Sequence, residues 1–207
     1  MAHLQRWQML WQTLGAKEDG CPLLRQVRAA YSEPQRVYHT LAHVRDCLRQ
    51  FDTARMLAEH PAEVEVAIWF HDAVYDTHRS DNEERSAEWA ERALVEAGAP
   101  DPVPRRVQAL ILATRHDLVP IGQDAALLAD VDLSILGRTP AEYDAYEQGI
   151  RQEYAWVPDE TYRAARANIL REFLLRARLY QTDFFYQRYE DQARRNLEQA
   201  LNALLSD

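Results

Sequence analysis

The sequence is short of the residues that punctuate β-rich or disulfide-bonded folds. Six glycines and two cysteines are spread over 207 residues. Two cysteines, Cys21 and Cys47, are too few for a disulfide framework and suit a reducing compartment. Mean hydropathy is −0.51, and no apolar run approaches the roughly 18 residues of a spanning helix, so no membrane partner is expected. The opening residues MAHLQRWQML lack a charged segment leading into an apolar one, so no secretory signal is read there and the expected location is cytoplasmic. Positive charge is scarce as well. The chain carries 24 Lys plus Arg against 33 Asp plus Glu, a net charge of −9, which argues against a broad basic footprint for duplex nucleic acid. Lys17 is the single lysine, and composition bias explains the arginine-only pattern more simply than a set of phosphate clamps does. A small phosphorylated substrate stays compatible with an acidic chain if a metal ion offsets the local repulsion.

What is present reads as helix almost throughout. At 47% apolar and 28% charged residues, the composition is that of a globular protein, and the length fits one domain over 1–207 that needs no staples for its core. Leu4, Trp7, Trp11 and Leu14 recur at helical spacing and stop at Gly15. Further helices are expected over 23–31, from Leu41, from Val64 to Tyr75, over 81–97, around Val107 to Thr114, over 125–136, from Thr139 to about Tyr154, over 159–180 and over 182–205. Thr139, Pro140 and Glu142 have N-cap, N1 and N3 spacing, and Ser80 with Glu83, or Asp81 with Glu84, has capping-box spacing. The proline-rich stretch 99–104 reads as a loop. The expectation is an all-α domain of about eight to ten helices.

The chemistry sits in polar residues on otherwise apolar segments. His71 and Asp72 lie within Ala67-Ile-Trp-Phe-His-Asp-Ala-Val-Tyr75. On a continuous helix the Asp72 carboxylate projects from an apolar wall, and a buried unpaired carboxylate costs several kcal/mol unless an Arg or a metal compensates it. His43 falls in the first turn of a helix, with His39 just before it. Asp130 and Asp132 follow in Leu127-Leu-Ala-Asp-Val-Asp-Leu-Ser-Ile-Leu136. Two positions on a helix span about 200°, so only one of that pair can aim at a given point. Two imidazoles and two carboxylates suit Mn, Fe, Co, Ni or Zn, and Mg less well. Cys47, one turn after His43, reads either as a buried free thiol or as a neighbour drawn into a metal site. The tryptophans read as packing groups, and His3, His60 and His78 as solvent-facing.

His43, the His71-Asp72 doublet and Asp130 resemble the H…HD…D signature of the HD superfamily of metal-dependent phosphohydrolases. The surrounding blocks are similar to a branch of predicted HD phosphohydrolases: Tyr38-His-Thr-Leu-Ala-His43, Trp69-Phe-His-Asp-Ala-Val-Tyr-Asp76, Asp81-Asn-Glu-Glu-Arg-Ser86, Ala113-Thr-Arg-His116, Asp130-Val-Asp-Leu-Ser-Ile-Leu-Gly137 and Ile150-Arg-Gln-Glu-Tyr154. They cover about 31–200. The resemblance implies a helical fold in which His43, His71, Asp72 and Asp130 bind a divalent metal ion, with Asp130 preferred to Asp132. It implies hydrolysis of a phosphate ester of a nucleotide or similar metabolite by metal-bound water.

Such chemistry also needs phosphate donors and a proton carrier. His116 is the extra candidate, as a donor to phosphate or a ligand of a second metal, against a bland reading as a helix-end histidine. Glu83 could orient the water or serve a helix cap. Arg36 and Arg151 are candidate substrate-binding clamps, and His39 a further ligand or a loop holder. Two other readings stay open: a di-iron oxygenase on the same scaffold, and a binding module whose metal is structural and closed by four protein ligands. Oligomeric state is left open, a homo-oligomer included.

Overall fold

The computed structural model describes residues 2–17, 19–115 and 119–206. Helix is the only regular structure among them. Ten α-helices run in the order α1 (Ala2–Thr13), α2 (Cys21–Ala30), α3 (Leu41–Ala54), α4 (Pro61–Phe70), α5 (Asn82–Glu96), α6 (Val103–Leu112), α7 (Gln123–Asp132), α8 (Pro140–Glu153), α9 (Asp159–Leu175) and α10 (Asp183–Leu205). Short 3-10 turns follow α3, α6 and α7. The all-α expectation holds. None of these helices is long and apolar enough to cross a membrane. The chain forms two compact units, residues 1–129 and 130–207.

In the first unit α4 occupies the centre, packed by α1, α3, α5 and α6. Every residue from Glu63 to Phe70 is buried, which is why this segment shows no polar face in the sequence. Trp7 stacks on Trp11 at 4.9 Å and meets Trp69 edge-on at 5.5 Å, while Phe70 meets Trp89 edge-on. The Trp7 ring closes over Gly20, whose carbonyl accepts the indole N–H at 3.0 Å. A Cβ at Gly20 would lie 2.6 Å from that indole nitrogen, and its φ is +64°. Two carboxylates sit within α4, and each is paired. Arg106 donates to Glu63 at 2.6 Å, and Arg6 and Arg55 both donate to Glu65. Left unpaired, either would carry the full cost of a buried charge.

Several helix ends depart from the sequence expectation. The apolar stripe runs on to Tyr75, yet α4 stops at Phe70, and His71 to Ala73 form a turn. Asp72 therefore does not lie on a continuing helix. The capping box expected at the start of α5 is not formed: Asp81 makes no cap bond and pairs with Arg79 at 2.6–2.7 Å instead. The segment 125–136 divides into α7 and a 3-10 turn, Leu133–Gly137.

In the second unit, the Thr139–Glu142 box closes as expected, with both reciprocal bonds present at the start of α8. Helix α9 ends at Leu175, short of the expected Tyr180. Glu190 on α10 accepts from the backbone N–H groups of Leu179 and Tyr180, and Arg194 donates to the carbonyls of Leu174, Arg176 and Ala177. Those bonds replace a further helical turn. α10 packs against α9 and the Leu133–Gly137 turn. Gly137 is required there, since a Cβ would lie 2.5 Å from the Tyr189 Cβ and 2.7 Å from its carbonyl oxygen.

Candidate metal centre

Two helix ends bring the first residues together. Thr40 caps α3, its hydroxyl accepting the Ala42 N–H at 3.2 Å, and this starts the helix so that His43 sits in its first turn. His71 follows the last residue of α4. Its Nδ1 lies 2.9 Å from the Ile68 carbonyl oxygen. A carbonyl only accepts, so Nδ1 carries the hydrogen and the Nε2 lone pair of a neutral ring faces the other way.

That lone pair meets the other candidates. His43 Nε2 and His71 Nε2 are 3.0 Å apart. Asp72 Oδ2 is 3.0 Å from His71 Nε2 and 3.5 Å from His43 Nε2. Both imidazoles are buried, while the Asp72 side chain keeps 17% exposure, so the cluster opens on its carboxylate side. Burial by itself would raise the Asp72 pKa. With the surrounding rings protonated, the positive charges of His71, His39 and His43 and a hydrogen bond from His71 would outweigh it and hold the carboxyl well below its ordinary value. Cys47 Sγ lies 3.7 Å from both nitrogens of His43. Ligand atoms of His43, Cys47 and His71 all fall within 4.8 Å of one another.

A frame of hydrogen bonds holds the turn that carries Asp72. Arg36 is buried and donates to the carbonyls of His39 at 3.2 Å, Asp72 at 2.6 Å and Ala73 at 3.0 Å, and its Nε donates to Glu33 at 3.0 Å. Tyr31 accepts the Asp72 N–H at 3.2 Å. Ser86 accepts from Val74, and Asn82 both accepts from and donates to the backbone of Asp76. His39 stacks on Tyr75 at 4.1 Å between ring centres. Tyr31, Asn82 and Ser86 are positioning residues that sequence reasoning did not single out. The signal available for the last two was their place in the Asp81–Ser86 block.

The remaining candidates fall as follows. Arg36 is not placed as a substrate clamp: its guanidinium is spent on backbone carbonyls and Glu33. Arg151 is likewise engaged within the second unit, donating to the carbonyls of Tyr154 and Val157 and lying 4.6 Å over the Tyr162 ring. Glu83 is half-buried in the first turn of α5. Burial, with the negative charge of Asp72, raises its carboxyl pKa. His116 lies outside the described residues. Asp130 is buried, and its Oδ1 accepts from the Gln181 N–H at 2.7 Å while Oδ2 accepts from the N–H and hydroxyl of Thr182 at 2.7 and 2.6 Å. Burial outweighs those three donors and pushes its carboxyl up to about 6. Both oxygens thus hold the start of α10. Asp132, at the end of α7, is half-buried.

A second group, Glu59, His60 and Asp124, proves to be a latch. Asp124 accepts the N–H groups of Glu59 and His60 at 2.7 and 3.0 Å, and its Oδ2 lies 3.0 Å from His60 Nδ1. His60, expected to face solvent, is paired. Comparison with protein-family models, curated proteins and solved structures finds no match for this chain.

Proposed function

We propose that this chain is a metal-dependent phosphohydrolase of the HD kind, cleaving a phosphate ester of a nucleotide or similar small metabolite. The observation that supports the metal half of the reading is the convergence of two buried imidazole Nε2 atoms and the Asp72 carboxylate, with His71 held in the ligating tautomer by the Ile68 carbonyl. The phosphate half rests on the resemblance of the surrounding motifs. His43, His71 and Asp72 would hold the ion, and the H…HD…D pattern asks for one more carboxylate. By resemblance that carboxylate is Asp130 or Asp132, and Asp130 has both oxygens engaged by Gln181 and Thr182. A divalent ion so held supplies Lewis acidity and a water of lowered pKa.

The chain's own residues do the rest. Arg36 and Tyr31 fix the turn that aims Asp72. Glu83, with its raised pKa, is suited to hold a proton beside the carboxylate cluster.

The test is inorganic phosphate release from a panel of nucleotides and sugar phosphates. Metal-stripped protein is resupplied with Mn, Fe, Co, Ni, Zn or Mg, beside Asp72→Ala. Release that needs a metal and disappears in Asp72→Ala is the expected result. Silence across every metal and substrate, in folded and metal-loaded protein, overturns phosphomonoester hydrolysis.

A further inference from the structure

We propose that Cys47 is a ligand of this centre, which makes the site selective for a thiophilic ion such as Zn(II), Fe(II) or Co(II) over Mg(II) or Mn(II). The inference rests on the metal-centre reading above and adds to it a donor that decides which ion is held.

Three observations carry it. Cys47 stands four residues after His43 on α3, and positions i and i+4 share a helix face. Its Sγ is 3.7 Å from His43 Nε2, the same nitrogen that lies 3.0 Å from His71 Nε2. On one ion with metal–nitrogen bonds of about 2.1 Å and a metal–sulfur bond of about 2.3 Å, nitrogen and sulfur stand about 3.1 Å apart at a right angle and about 3.6 Å apart at the tetrahedral angle, so an expanded centre that keeps a water position is compatible. The thiol is therefore already at ligand spacing from His43. Finally, Cys47 is only 3% exposed and shares α3 with the buried Val44, Leu48 and Phe51. Ligation replaces the S–H bond by a sulfur–metal bond, and the thiol proton leaves to solvent. No oxidant or reductant takes part. A thiolate in the donor set favours softer ions over Mg(II) and Mn(II), which prefer oxygen donors.

Cobalt(II) reads the donor set directly. Apo protein titrated with Co(II) is expected to show visible d–d bands together with a near-ultraviolet sulfur-to-cobalt charge-transfer band. Cys47→Ser is expected to keep the d–d bands and lose the charge-transfer band, while Cys21→Ser keeps both. In competition, Cys47→Ala is expected to lower the preference for Zn(II) over Mn(II) by about tenfold or more. Wild-type protein that binds Co(II) without a charge-transfer band overturns the role of Cys47 and leaves the metal centre standing. So does a band that survives Cys47→Ser and vanishes in Cys21→Ser. Folded wild-type protein that binds no Co(II) overturns the metal-centre reading and this inference with it. The wild-type spectrum decides even if a variant fails to fold.

Discussion

Arg36 donates to the backbone carbonyl of Asp72 at 2.6 Å, from 36 residues earlier in the chain. The same guanidinium takes the carbonyls of Ala73 and His39, so one buried cation braces the turn after α4 that carries the Asp72 carboxylate. An arginine fork suits this task because its donors are coplanar and fixed in direction, whereas a lysine ammonium is a single point on a flexible stem.

Arg36→Lys is accordingly expected to destabilise the protein by about 2–4 kcal/mol, because buried carbonyls lose their donors. It should also weaken metal binding by roughly 10–100-fold through the misplaced turn. Urea denaturation and a metal titration measure the two effects. Unchanged metal affinity would show that the turn holds its direction without Arg36.

Glu83→Gln separates a proton carrier from a helix-start residue. As a carrier, Glu83 should take kcat down by about 10²–10⁴-fold when replaced, with metal affinity and melting temperature nearly unchanged. A helix-start role alone would leave kcat intact and lower stability by about 0.5 kcal/mol.

Asp130→Asn and Asp132→Asn should part company. An amide at 130 turns one of the two oxygens into an N–H₂ group that faces the Gln181 N–H or the two Thr182 donors, so stability is expected to fall by about 1–3 kcal/mol with metal still bound. Asp132→Asn leaves those three bonds intact. Isothermal titration beside thermal melting reads both variants, and metal loss in Asp130→Asn would make Asp130 the carboxylate that the H…HD…D resemblance asks for.

Alkaline titration of the phenols gives a measurement free of the metal. Burial raises the pKa of Tyr31, Tyr143, Tyr146, Tyr162 and Tyr180, with Tyr162 pushed up to about 12. The folded state keeps these protons when the unfolded chain would release them near pH 10. The associated stability is therefore fully present below about pH 10 and falls as pH rises toward 12. Absorbance of phenolate should show five of the ten tyrosines silent at pH 10 and ionising together with unfolding. Smooth titration of all ten near pH 10 would contradict their burial.

The parts of this protein legible in the sequence are the local ones. The helical stripe of Trp7 and Trp11 packs as expected, and Thr139 and Glu142 close their box because both partners sit within one turn. His43, His71 and Asp72 were readable as a group because polar residues on apolar segments demand compensation, and the structure brings them together. Arg36 was read as a candidate substrate clamp, since nothing near it in sequence marks the carbonyls it serves.

By itself, then, the sequence determined the all-helical class and, to within a residue, where α3, α5, α8, α9 and α10 begin, because periodicity and capping act over three or four residues. Tertiary structure alone decided where α4 and α9 stop and which work Asp130 performs. Arg36 braces the turn after the first, Glu190 and Arg194 the segment after the second, and Gln181 and Thr182 between them engage both oxygens of Asp130. A hydrogen bond between residues tens of positions apart leaves no periodic trace. Its donors and acceptors become partners only once packing has excluded the water that would otherwise satisfy them.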